Sequence, residues 1–128
     1  MHATGLVTLF LALVSVTSAA PTPKRSGTGD FTFYDPGLGA CGKTNKSSDL
    51  IVAVSSQVFA SFGKQISNGN PVCGKKITLK ANGKTVTATV EDKCPGCGAN
   101  DVDLSPAAFK KLASLGTGRI HGAKWTIS

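Results

Sequence analysis

Acidic and aromatic side chains are what this sequence has least of. Seven Asp and Glu stand against fourteen Lys and Arg, a net charge of +7. The one Trp, one Tyr and six Phe leave little from which to build a stacking surface. The lysines are spread along the chain and not gathered in one run, which argues against a dedicated nucleic-acid groove. A dispersed positive field favours an acidic polysaccharide, a negatively charged wall or an acidic protein surface, or serves solubility alone. No apolar run is long enough to cross a bilayer, so no membrane partner is expected, and no internal repeat is visible. Only two histidines occur; His121 is expected in a loop, and no metal site or cofactor is expected around it.

The longest apolar run, Leu6 to Val16, is followed by Thr17-Ser18-Ala19-Ala20, small residues of the kind a signal peptidase accepts. Residues 1–20 are expected to be a secretory signal, although the n-region, Met1 to Gly5, has no Lys or Arg. Lys24-Arg25 offers a second trimming point. Residues 21–28 are expected to be a flexible lead, and residues 29–128 one domain of a secreted, extracellular, monomeric protein. Four cysteines in such a chain suggest two structural disulfides with three possible connectivities. Cys41 and Cys73 are singletons, which disfavours zinc, and a loop follows Cys97 where a redox pair would have a helix. We favour Cys94 with Cys97 and Cys41 with Cys73; the four-residue ring is tight, so this is a choice and not a deduction.

The stretch Val90 to Pro106 concentrates chemistry: it holds four of the seven carboxylates and two of the four cysteines. Before it, Thr85-Val86-Thr87-Ala88-Thr89-Val90 alternates polar and apolar, the period of a half-buried strand. Continued, that register places Asp92 with Val86, Ala88 and Val90, and Glu91 with the threonines. In Val102-Asp103-Leu104, Asp103 faces away from its apolar neighbours. Asn82-Gly83 between two alternating runs predicts a hairpin with a type I′ turn. Asp30 to Tyr34 reads as a first strand, Leu50 to Val54 as a strand buried on both faces, Ser55 to Gly63 as a short helix, and Gly122 to Ile127 as the last strand. Ser105 to Gly116 reads as a helix with a Ser cap, Pro in its first turn and Gly at its end. Asp103 just ahead of that cap would be held ionised by the helix dipole. Gly37-Leu38-Gly39-Ala40-Cys41-Gly42 has the G-x-G-x-x-G spacing, but a cysteine inside it and no helix after it exclude a dinucleotide loop. Strands with short connections and one or two brief helices make an all-β barrel of about six strands.

Thr32-Phe33-Tyr34, the Gly-Ala-Cys41-Gly loop, Val72-Cys73-Gly74-Lys75, Val90-Glu91-Asp92-Lys93-Cys94-Pro95 and Val102 to Phe109 together resemble the double-psi β-barrel of expansins, barwin-like proteins and rare lipoprotein A-like domains. The similarity runs from about Gly29 to Ile127 and is strongest to small secreted proteins of fungal type, a group that also resembles papain inhibitors of the same fold. The resemblance implies a six-stranded double-psi barrel. It carries Asp103 onto the general acid of related inverting endoglucanases, Asp92 onto a second groove aspartate of expansins, and Thr32 onto their first-strand threonine. Cys94 stands where bacterial expansins have a groove tyrosine. The barwin-like pattern implies Cys73 bonded to Cys41.

Three functions follow as expectations. A groove of Thr32, Tyr34, Asp92 and Asp103 would bind a cell-wall polysaccharide such as cellulose, xylan, chitin or peptidoglycan without hydrolysis; Tyr34 and Trp125 are the aromatics left to stack on sugars. A disulfide-pinned loop from Lys93 to Asn100 would suit an inhibitor of a papain-like cysteine protease or another protein-binding effector. Weak glycoside hydrolysis or lytic transglycosylation would use Asp103 as acid and Asp92 as base, against a dipole that keeps Asp103 ionised.

Overall fold

The computed structural model describes residues 25–64 and 67–128. The expected signal, residues 1–20, lies outside them. Six strands form the fold: β1 (Arg25–Phe33), β2 (Ile51–Ser55), β3 (Lys76–Ala81), β4 (Lys84–Cys94), β5 (Val102–Leu104) and β6 (Ile120–Ile127). They close into one barrel in the order β1-β5-β2-β4-β3-β6, so each strand has a paired neighbour on either side over at least part of its length. Two pairs, β1 with β5 and β2 with β4, are parallel; the rest are antiparallel. The expected all-β, six-stranded barrel with two short helices is therefore what the chain builds.

Local sequence accounts for most of this. In β3 and β4, Ile77, Leu79, Val86, Ala88 and Val90 point inward and are buried, while the lysines and threonines between them face out. All five residues of β2 are buried, as a strand flanked by neighbours on both sides and covered on both faces must be. Asn82 and Gly83 have φ of 54° and 72°, the two positive values a type I′ turn needs. The Asn82 side chain also donates to the Leu112 carbonyl at 3.0 Å, tying the hairpin tip to the segment after the second helix. Phe31, Leu79, Leu104, Phe109, Trp125 and Ile127 fill the interior, with Phe33 tilted on Phe109 at 4.9 Å between ring centroids.

Helix α1 (Ser56–Ser61) starts where Ser55 accepts from the Val58 amide at 3.1 Å. Helix α2 (Pro106–Lys110) starts at Ser105, whose hydroxyl accepts from Ala108 N at 3.2 Å and donates to the Asp49 carbonyl at 2.6 Å. α2 is half as long as its apolar spacing predicts. Lys111 is its C-cap, and the Leu112 carbonyl is taken by Asn82 in place of a further helical amide; Leu112 is buried all the same.

Two boundaries need correction. The first strand begins at Arg25, opposite Ile127, so residues 25–28 of the expected flexible lead belong to β1. Gly27 makes this possible: a Cβ there would sit 2.7 Å from the Trp125 ring, so only glycine lets β1 pass over it. His121 lies in β6, not a loop. Cys41 is bonded to Cys73 and Cys94 to Cys97, and no described cysteine is free.

Candidate functional site

Strand pairing aligns Thr32 with Asp103, Asp103 with Ala53, and Ala53 with Asp92. Residues paired across neighbouring strands project from the same face, so these four form one row across β1, β5, β2 and β4. Val52 and Val54, on either side of Ala53, point into the core; the row therefore lies on the outer face. Tyr34 is two residues beyond Thr32 and shares its side. The two carboxylates are separated by the width of one strand, roughly 10 Å between backbones.

The alternation read from β4 placed Asp92 on the core side, and the structure reverses this. Val52 pairs with Val90 but Ala53 pairs with Asp92, so Glu91 is an extra residue in β4. Such a bulge flips every later side chain to the opposite face. Glu91 itself is buried, with its carboxylate 3.3 Å from the Lys43 ammonium. Asp92 emerges beside Asp103 because of one inserted residue.

Asp92 has nearly all its acceptor capacity in use. Oδ1 accepts from the amides of Ala40 and Lys93, both at 2.8 Å, and Oδ2 from the Tyr34 hydroxyl at 3.0 Å. The glycine-rich loop supplies the Ala40 amide. A Cβ at Gly39 would stand 2.6 Å from the Glu91 carbonyl and 3.1 Å from the Asp92 carboxyl carbon, so the loop's glycine serves close approach to Asp92. In the sequence this loop is marked by its glycine spacing and by Cys41, and nothing local to it shows that its backbone donates to Asp92. Burial first, then the charges of Asp92 and Asp103, push the Tyr34 hydroxyl far above its ordinary pKa; it remains a proton donor at every physiological pH.

Asp103 is half-buried and accepts a 2.8 Å hydrogen bond from Thr32 Oγ1. Burial raises its pKa, the Thr32 bond and Arg119 lower it, Asp92 raises it, and the balance is upward. The dipole expectation is thus overturned: α2 has only five residues and Ser105 already caps it, so desolvation dominates. The Asp103 carboxylate and the Cys94 and Cys97 sulfurs lie within 4.8 Å of one another. Those sulfurs are a disulfide and offer a metal no thiolate. The bridge instead forms an apolar wall beside the acid. Trp125 does not join the site: it is 2% exposed, with its indole N–H donating to the Asn100 carbonyl at 2.8 Å, so no sugar can stack on it.

A raised folded-state pKa on an acid means that burying the ionised form opposes folding. The penalty is absent below the unfolded pKa, about 3.9, grows as pH rises from there through the folded pKa, and is complete above it. An asparagine side chain at this position would keep the Thr32 bond without the charge. Asp103→Asn is therefore expected to be more stable than the wild type in urea unfolding at pH 7 and indistinguishable from it at pH 3; a gap that is equal at both pH values, or reversed, contradicts the burial account.

A closed six-stranded barrel of this order, with acids and hydroxyls aligned across β1, β5, β2 and β4, is a double-psi β-barrel of the rare lipoprotein A-like type. The chain belongs to the family of that fold described as lytic transglycolase, whose profile matches residues 28–123. It is similar to the solved Streptomyces papain inhibitor: 36% identity, TM-score 0.73, covering 81% of this chain and 96% of that one. It is also similar to a mutant expansin of Clavibacter michiganensis solved with cellohexaose, at 25% identity and TM-score 0.65, covering 81% of this chain and 50% of that one. An Allergen Asp f 7 homolog of Arthroderma benhamiae is 39% identical over 112 residues; the match takes in 77% of this chain but only 38% of the length of that relative.

Proposed function

We propose that the row of Thr32, Asp103, Ala53 and Asp92, with Tyr34 beside it, is a shallow groove in which a secreted protein binds a cell-wall polysaccharide without hydrolysing it. The observation that carries this is the aligned register of two half-buried acids with a hydroxyl donor on each, Thr32 to Asp103 and Tyr34 to Asp92. Paired acids and hydroxyls at this spacing suit the alternating donors and acceptors of a sugar chain. The expansin relative was solved with cellohexaose, which supports the same class of ligand here. Disulfides and the apolar leader at residues 1–20 support an extracellular setting.

Hydrolysis by a pair of acids needs a free base to activate water. Asp92 is a poor choice, because three donors already hold its two oxygens. Asp103, with its raised pKa, has the character of an acid but lacks a partner among the residues of this row.

The test is pelleting with cellulose, xylan, chitin and peptidoglycan, with reducing ends measured in the supernatant. Binding to at least one of them, weakened about tenfold by Asp103→Ala as loss of a charge-assisted contact implies, supports the groove. Binding that Asp103→Ala leaves unchanged overturns it, and new reducing ends would replace binding by hydrolysis.

A second reading rests on coverage. This chain covers 96% of the solved Streptomyces papain inhibitor chain, and 68% of the full length of a papain inhibitor of Streptomyces mobaraensis, but half of the solved expansin chain, so inhibition of a papain-like cysteine protease is the competing function. The Cys94–Cys97 bridge pins the exposed loop that would enter the protease cleft. A papain assay decides it: inhibition that survives Asp103→Ala belongs to the loop and not to the groove.

A further inference from the structure

Lysines that look scattered in the sequence are gathered by the fold. On the side of the barrel that β5 and β2 do not reach, β4, β3, β6 and β1 run side by side. Their pairing sets Thr85, Lys80, Lys124 and Thr28 in one outward row, and Thr87, Thr78, Thr126 and Ser26 in the next. Lys76 and Thr89 form the start of a third, with the Lys76 ammonium donating to the Thr89 hydroxyl at 2.9 Å.

Two features of this wall point outward from the protein. Lys80 and Lys124 are direct cross-strand neighbours and both exposed, an arrangement of like charges that weakens a sheet. Yet none of the carboxylates occupies these rows, and no ion pair among the described residues involves Lys76, Lys80, Lys84 or Lys124. The acids sit instead at the groove, in the loops, or at the β1 bulge where Asp30 holds Arg119 and His121. In addition, the surface dips between the outward residues Ser26, Thr28, Lys124 and Thr126, over Gly27 and the buried Trp125.

We infer that this wall is a second binding face, separate from the Asp92 and Asp103 groove, and that it takes a carboxylated polysaccharide. Lysines without an acid partner supply the charge complement to carboxylates. Hydroxyls at every second position between them match sugar hydroxyls. The three rows hold no aromatic side chain on which a base would stack and no arginine fork for phosphate, which separates the ligand from nucleic acid.

The probe is polygalacturonate, with the full chain, at low and high salt. Lys80→Gln/Lys124→Gln is expected to bind about tenfold more weakly at low salt, as two exposed charge contacts are worth, and to lose much of the salt dependence. The equal-charge control Lys46→Gln/Lys64→Gln, also exposed, should bind as the wild type does. Equal losses in both lysine pairs would reduce the effect to net charge and overturn the inference. So would undiminished binding to the fully methyl-esterified polymer, or equal binding to vesicles of equimolar phosphatidylcholine and phosphatidylserine. The lysine pair lies outside the row of Thr32, Asp103, Ala53 and Asp92, so failure here and failure of the groove, tested by pelleting of Asp103→Ala, are read separately.

Discussion

Asp92→Ala is expected to destabilise the barrel by about 3 kcal/mol, since it strands three donors whose bonds to a charged acceptor are worth about 1.5–3 kcal/mol each before water replaces part of them. The amides of Ala40 and Lys93 and the hydroxyl of Tyr34 all lose their partner at once. In a domain of this size that is a fall in melting temperature of roughly 15–20 °C. Besides the Cys41–Cys73 bridge and the Lys43–Glu91 ion pair, the loop around Gly39 is held to β4 by Asp92 and by the Cys41 amide bond to the Glu91 carbonyl at 3.3 Å. Amide exchange at Ala40 should therefore quicken more than exchange in the β3–β4 hairpin. Asp92→Asn, which keeps one carbonyl acceptor, should lose about half as much on the same scale. Removing the charge also takes away one influence that raises Asp103 and Tyr34, so the Asp103 carboxyl should titrate lower by NMR. An alanine variant as stable as the wild type would mean that Asp92 is not the loop's anchor.

The two disulfides should separate stability from function. Cys41 and Cys73 are 32 residues apart, Cys94 and Cys97 only 3. Loop-closure entropy then gives about 4 kcal/mol for the first and about 2 kcal/mol for the second. Cys41→Ser/Cys73→Ser is expected to unfold at distinctly lower urea, because it releases the glycine-rich loop from the segment leading into β3. Cys94→Ser/Cys97→Ser is expected to fold more nearly normally and to lose ligand or protease binding, since its bridge stands against Asp103 and shapes the 94–97 turn. Chemical denaturation of both, beside the binding assays, checks this; equal losses of stability would show that loop length is not what distinguishes them.

Much of the barrel was legible because it is encoded locally. Asn82-Gly83 predicts its own turn, the β3 and β4 alternation predicts which residues face in, and Ser55 and Ser105 mark two helix starts with their hydroxyls. The short length of α2 was not legible: its pattern of Ala108, Phe109 and Leu112 serves burial just as well in a turn as in a helix, and the Asn82 bond that ends it comes from 30 residues away. Trp125 was equally ambiguous, as a lone tryptophan in a final strand can stack on a sugar or fill a core. Gly27, on the neighbouring strand, decides that it lies inside.

By itself the sequence determined most of the strands, the hairpin and the cap residues, since each is written in neighbours a few positions apart; the resemblance to the double-psi family singled out Thr32, Asp92 and Asp103 as candidates. Tertiary structure decided which way the acids point and in which direction the Asp103 pKa moves. The bulge at Glu91 exists only in the pairing of β4 with β2, and the burial that lifts the Asp103 pKa comes from what packs around it. Strand register and desolvation are properties of segments brought together from far along the chain, and no local pattern carries them.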